Sequence, residues 1–205
     1  MAFRATGYFK ALWAFPNMED GRYNIAGRHP AQYLSLHPMG PWAEMLRNLN
    51  RRTADQARTL RLPIWTFRLV LDEDPVDVSF DTAGDYGLDP EDLVADDQSA
   101  TRALGAALYD RGVASFIAPS AALAGTHNLI VLRPAAIIDY HAAPIDPEDW
   151  PAALAAQHGR CPEGLWDSAH YRGAGTTHAA LDGWRSGDEF EFVQPEVTAA
   201  SLVAA

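Results

Sequence analysis

Short segments rich in β-branched and aromatic residues, set between stretches of helical periodicity, constrain this 205-residue chain more than any other feature. Residues 64–71 read as a strand, and 113–118 and 129–132 as two buried strands, because short apolar runs bounded by turn formers fit the inside of a sheet. Residues 32–36 suggest a further short strand and 190–193 a last one. Trp42, Met45, Leu46 and Leu49 recur at helical spacing behind Pro41, a residue favoured at a first helical position, and predict a helix over 41–58. Leu104, Ala107 and Leu108 predict another over 99–111, with Gly112 placed to end it. Asp146 before Pro147 reads as one more helix start, with its stop near Gly159. The pattern is that of an α+β fold, a mixed sheet core with flanking helices. Residues 160–187 read as irregular, and the small, apolar residues 198–205 as a fraying end.

The length fits one ordinary domain with a substantial core. No run of about 18 apolar residues is present, and residues 1–7 lack the apolar stretch of a signal peptide, so the expectation is a cytoplasmic protein without a membrane span. The single cysteine, Cys161, has no partner for an intramolecular disulfide. A formal net charge of -11 opposes binding to phosphate backbones or anionic lipid, so neither nucleic acid nor membrane is an expected partner. Lys10 is the only lysine, and arginine is the better residue for forked contacts to phosphate or carboxylate.

Charge is unevenly distributed. Residues 72–97 hold eleven acidic side chains and no basic one, which reads as a solvated, partly irregular connection or, more sharply, as a docking surface for a basic partner. Arg47, Arg51, Arg52, Arg58 and Arg61 form the local basic cluster, by default a solvated helix face or, more sharply, a field that draws an anionic ligand toward Glu44. Glycine patterns of a P-loop or a dinucleotide-binding turn are absent. His158, Cys161, His170 and His178 do not have the spacing of a compact zinc site, and Asp72, Asp74 and Asp77 lack the glycine and glutamate of an EF-hand, so no metal is expected.

Three separated segments together resemble the RES-domain family. The first is Gly21-Arg22-Tyr23-Asn24-Ile25-Ala26-Gly27, similar to a Gly-Arg-Trp-Asn-Pro-x-Gly loop and followed by Tyr33-Leu34-Ser35. The second is Ala43-Glu44 at the start of the first helix, and the third is Ala118-Pro119-Ser120-Ala121 with Asn128-Leu129-Ile130-Val131-Leu132. The resemblance covers about residues 3–140. It divides the chain into a RES-like NAD+-binding domain over 1–140 and a C-terminal extension over 141–205, of unassigned role, packed on the same domain. Two departures stand out: Asp20 where a second glycine is common, and Tyr23 in place of tryptophan.

The resemblance implies an ADP-ribosyltransferase-like fold and a toxin that consumes NAD+ at the nicotinamide bond, by hydrolysis or phosphorolysis. NAD+ is then a substrate, inorganic phosphate a candidate co-substrate, and no cofactor is needed. It also implies a cognate antitoxin with a helix-turn-helix domain, and leaves homo-oligomer formation open. Arg22, Glu44 and Ser120 become the catalytic candidates, and Tyr23, Asn24, Tyr33 and Asn128 the substrate-binding ones. The chemistry fits: ribose with oxocarbenium character needs a nearby anion, which Glu44 supplies, and the flanking phosphates need a cation, which Arg22 supplies. Tyr23 and Tyr33 offer ring faces and Ser120 a hydroxyl.

Without the resemblance each residue has a plainer reading. Arg22 is a solvated loop charge, Glu44 the partner of Arg47 on a helix surface, Tyr33 a half-buried aromatic, Ser120 a turn cap, and Asn24 and Asn128 turn formers. Two other functions remain open at this point: transfer of ADP-ribose to a protein or small molecule, and a RES-fold binding module without catalysis, a reading favoured by Asp20.

Overall fold

A computed structural model of the chain describes residues 2–5, 19–67, 71, 73–132 and 158–195. Its strands are β1 (Ala2–Ala5), β2 (Gln32–Ser35), β3 (Arg61–Phe67), β4 (Val76–Asp77), β5 (Ser115–Pro119), β6 (His127–Val131) and β7 (His158–Arg160). They form one sheet in the order β4-β5-β6-β2-β1-β3-β7. Only the β4–β5 pair is parallel, which makes the sheet mixed, as the pattern predicts. Helices α1 (Gly40–Asn48), α2 (Ala54–Arg58), α3 (Ser99–Asp110), α4 (Leu165–Ser168) and α5 (Ala179–Ser186) flank it.

The sheet divides into two halves. β2 pairs with β6 along its length, from Gln32 opposite Val131 to Ser35 opposite Asn128, and β6 continues onto β5. β1 pairs with β3 in the same continuous way. Between the halves, the β1–β2 register is Phe3 opposite Ser35 alone among the described residues. Two core clusters form. One gathers Tyr23, Leu93, Leu104, Leu108, Phe116 and Ile130; the other gathers Trp42, Leu46, Leu60, Leu123, Leu165 and Tyr171. Burying each large apolar side chain stabilises the fold by roughly 1.5–3 kcal/mol. The seam between β1 and β2 is where a cavity forms.

Local chemistry explains several departures from the sequence pattern. The helix expected over 41–58 is broken in two. Asn50 adopts a left-handed φ of 52°, its N–H donates to the Arg47 carbonyl at 3.3 Å, and the Arg51 N–H donates to the Leu46 carbonyl at 2.9 Å. These two bonds close a Schellman motif, which satisfies the last carbonyls and ends α1, leaving Leu49 exposed. Thr53 then starts α2, its side chain accepting from the Gln56 N–H at 3.4 Å. Gly112, at φ 88°, ends α3 by the same motif, as expected. The buried face of α3 is Thr101, Leu104, Gly105 and Leu108, and Ala107 faces outward.

The acidic stretch is not a plain solvated connection. Val76 and Asp77 join the sheet as β4, and Val78, Ala83, Leu93 and Val94 enter the first core while the carboxylates between them point outward. β1 carries no clear signal in the sequence. Residues 190–193 form no strand, Phe190 and Val193 being exposed. Gly159 lies inside β7 rather than at a helix end, and α4 and α5 occupy the segment read as irregular. The helix expected from Asp146 and the fraying end fall outside the described residues.

α3 crosses the chain at Tyr23 so closely that a Cβ on Gly105 would overlap the Tyr23 carbonyl oxygen and come within 2.7 Å of its carbon. Alanine normally gains about 1 kcal/mol over glycine in a helix. Here the backbone cannot yield cheaply, so Gly105→Ala is expected to destabilise the protein by about 1–3 kcal/mol. Urea unfolding of the variant beside the wild type measures it; a stabilised variant would contradict the close crossing.

Candidate functional site

At the seam lies a cavity of about 570 Å³, walled by β1, the loop around Arg22, β2, α1, and the ends of β5 and β6. Its construction begins with Gly21. The Gly21 N–H donates to the Asn24 carbonyl at 3.1 Å, closing a tight loop, and a Cβ on Gly21 would collide with Asn24 Oδ1 and the Tyr33 hydroxyl. That hydroxyl accepts the Tyr23 N–H at 2.9 Å and donates to Asn24 Oδ1 at 2.9 Å, while Asn24 Nδ2 donates to the Glu19 carbonyl at 2.9 Å. Strand β2 thus holds the loop through one phenol.

The loop aims Arg22 along the cavity wall. Its Nη1 donates to the Leu93 carbonyl at 3.2 Å and its Nη2 to the Ala95 carbonyl at 2.8 Å, so the end of the acidic stretch anchors it. Asp20 does not face the cavity as a loose carboxylate. It accepts the Ala26 N–H at 2.8 Å and pairs with Arg102 at 3.4 Å, and Arg102 Nε also donates to the Gly21 carbonyl at 3.2 Å.

Opposite, α1 brings Glu44 to the wall, half-buried, where Asn128 Nδ2 from β6 donates to its Oε1 at 3.3 Å. Glu44 is not paired with Arg47, contrary to the helix-surface reading. Arg47 lies one turn on from the buried Ala43, and its side chain is only 2% exposed. Nη1 donates to the Ala121 carbonyl at 3.0 Å and the His170 carbonyl at 2.7 Å, and Nη2 meets Asp96 at 2.6 Å. Of the rest of the basic cluster, Arg52 and Arg58 are exposed, as the solvated reading has them, with Arg52 over the Tyr171 ring at 5.1 Å and Arg58 paired with Glu163 at 2.6 Å.

Five of the seven candidates therefore share the cavity: Arg22, Tyr23, Tyr33, Glu44 and Asn128. Tyr23 is mainly a wall, its ring edge against Phe116 at 4.9 Å. Burial pushes its phenol up to about 12, with smaller opposing effects of Arg22 and Glu44, and burial raises Tyr33 too. Both stay neutral at physiological pH. Asn24 is buried behind the loop it holds. Ser120 does not reach the cavity. It is fully buried, and its Oγ accepts the N–H groups of Ala122 at 3.3 Å and Leu123 at 3.2 Å, so it caps the turn whose Pro119 and Ala121 line the wall. Burial also pushes the Cys161 thiol up to about 12, which removes it as a nucleophile. Among the described residues no three His, Cys, Asp or Glu side chains gather to hold a metal, and no helix is long and apolar enough to cross a membrane.

Behind the serine turn, His178 Nε2 donates to the Ser120 carbonyl at 3.1 Å. Burial, then the neighbouring His170, lowers its pKa from 6.5 to about 4. The unfolded chain therefore binds a proton between those values that the folded chain refuses. Stability from this residue is full above about pH 6.5 and is lost as pH falls toward 4. In urea unfolding at pH 7.5 and pH 5, the wild type is expected to lose more stability on acidification than His178→Gln. Equal losses would remove His178 as the cause.

Comparison with known proteins matches residues 1–155 to the RES domain model. A probable NAD(+) phosphorylase of Mycobacterium tuberculosis is 31% identical over 137 residues, which are 66% of this chain and 61% of that protein. A chain in the crystal structure of the MbcT–MbcA toxin–antitoxin complex of M. tuberculosis superposes with a TM-score of 0.54 at 22% identity, over 64% of this chain and 72% of that one.

Proposed function

The chain belongs to the RES domain family, and from that premise we propose that it is a toxin-type enzyme that cleaves the nicotinamide–ribose bond of NAD+, with inorganic phosphate as the acceptor. The observation that carries the reading is that Glu44 and Arg22 stand on the wall of one cavity, close enough for both to act electrostatically on Tyr23, Tyr33 and Arg47. Phosphate as acceptor is favoured by the 31% identical relative named as an NAD(+) phosphorylase and by the arginines on the wall.

In this mechanism the C1′–N bond breaks with its electron pair passing to the pyridinium nitrogen, so nicotinamide leaves neutral and needs no acid. A phosphate oxygen forms the new bond to C1′, and the product is ADP-ribose 1-phosphate. Glu44, held by Asn128, stabilises the positive ribose between these events and accepts from its hydroxyls. Arg22 positions a phosphate group, its own plane fixed by the Leu93 and Ala95 carbonyls. Tyr33, neutral and half-buried, presents a ring face to the nicotinamide. Ser120 contributes through the turn it caps. A cognate antitoxin, as in the toxin–antitoxin complex to which the fold is similar, is the proposed protein partner; the resemblance adds a helix-turn-helix domain to it.

The purified chain, incubated with NAD+ with and without phosphate, is expected to release nicotinamide and ADP-ribose 1-phosphate, identified by mass. Glu44→Gln is expected to lower kcat by about 10² or more, the scale of losing one preorganised electrostatic group. Arg22→Ala is expected to lower kcat/KM by roughly tenfold or more. Release without phosphate would make the enzyme a hydrolase, and a labelled protein or small molecule in place of free product would make it a transferase. No nicotinamide from folded wild type in either buffer would leave a binding module.

A further inference from the structure

Among the cavity-wall residues, Arg172 comes from outside the 1–155 match, on the turn between α4 and α5. Nothing in the sequence motifs points to it. Two other wall arginines are each held by several acceptors: the two terminal nitrogens of Arg22 donate to one carbonyl each, which fixes its plane and leaves N–H groups over, and buried Arg47 is shared among two carbonyls and Asp96. Arg172 is different. It is exposed at the mouth of the cavity, and its guanidinium makes one hydrogen bond among the described residues, 3.2 Å from Nη2 to Asn48 Oδ1.

The backbone that carries it is firmly held. The His170 N–H donates to the Ala122 carbonyl at 2.9 Å, and the His170 carbonyl accepts from Arg47. The buried Tyr171 hydroxyl donates to the Arg51 carbonyl at 2.7 Å, the Arg172 carbonyl accepts from Arg52 at 2.7 Å, and the Gly173 N–H donates to Asp96 Oδ2 at 2.7 Å. A fixed turn with an uncommitted fork is what a preorganised binding residue requires. A phosphate oxygen carries negative charge and the Asn48 amide oxygen does not, so the anion is the stronger acceptor for the guanidinium and can also take it as a fork.

We propose that Arg172 is a substrate-binding residue that closes the cavity mouth on a phosphate oxygen, exchanging Asn48 for the anion. The ligand's identity rests on the NAD+ reading above. Its phosphate comes either from the dinucleotide's pyrophosphate or from the free acceptor, and the test separates the two.

Nicotinamide release is measured for the wild type, Arg172→Ala, Arg172→Lys and, as a control that does not line the cavity, Arg185→Ala, with NAD+ and phosphate varied in turn. Calorimetric titration with ADP-ribose and with inorganic phosphate reads binding without turnover. Arg172→Ala is expected to raise one KM about tenfold with little change in kcat, the scale of one charge-assisted hydrogen bond, with partial recovery in Arg172→Lys. A raised KM for NAD+ with weaker ADP-ribose binding assigns the pyrophosphate. A raised KM for phosphate with weaker phosphate binding assigns the acceptor. Unchanged KM values and unchanged binding in folded Arg172→Ala overturn the proposal. If the wild type releases no nicotinamide yet its ADP-ribose binding depends on Arg172, the cleavage reading fails while the binding role stands; a wild type that binds neither ligand overturns both.

Discussion

The buried guanidinium of Arg47 is the constraint on which the arrangement depends. A cation taken out of water is tolerated only when its donors are satisfied and a countercharge is near, and burial already lowers the Arg47 pKa, with Asp96 opposing that effect. Its acceptors come from three places: the serine turn at Ala121, the C-terminal segment at His170, and the end of the acidic stretch at Asp96. Because these must converge on one planar group, α1 cannot shift without disturbing all three. Glu44 lies on that helix and Asn128 reaches it from β6, so the position of the carboxylate follows from how Arg47 is satisfied.

The same accounting explains what the acidic stretch does. Most of its described carboxylates are exposed, but its final turn supplies the carbonyls of Leu93 and Ala95 to Arg22 and the carboxylate of Asp96 to both Arg47 and Gly173. The apolar Leu93 and Val94 lock that turn into the first core. Charge alone is a poor guide to such a segment. Among the described residues the contribution to the site comes from backbone groups and from the Asp96 carboxylate.

Periodicity therefore made the mixed sheet, α3 and its glycine stop legible, and motif order brought Arg22, Tyr23, Tyr33, Glu44 and Asn128 to one place. What stayed hidden has physical reasons. The break in the first helix rests on Asn50 tolerating a left-handed backbone, which asparagine does without demanding it. Arg47 shares a helix stripe with Ala43, and alanine is too neutral a neighbour to announce burial. Ser120 carries two readings in the sequence, a hydroxyl for phosphate or ribose and a turn cap, because both use the same atom, and the N–H groups of Ala122 and Leu123 decide for the cap. β1 is four residues long, with Ala2 buried and the other three half-buried, too little pattern to register. Arg172 is joined to the site only through contacts distant in sequence.

Net charge and local charge pull in opposite directions at this cavity. A chain of formal charge -11 repels an anionic substrate at long range, yet salt screens that field over about 8–10 Å. Within that distance the wall presents four arginines, Arg4, Arg22, Arg47 and Arg172, against the carboxylates of Glu19, Asp20 and Glu44. Asp20 is offset by Arg102, which stands outside the wall, so a glycine-to-aspartate departure in the loop costs the site little of its positive field. The cation that Asp96 offsets is the one already buried, whereas among the described residues Arg22 and Arg172 donate to neutral acceptors. Of the two other wall carboxylates Glu19 is exposed and Glu44 half-buried, so the cavity offers an anion for the sugar and, in Arg22 and Arg172, cations for the phosphates.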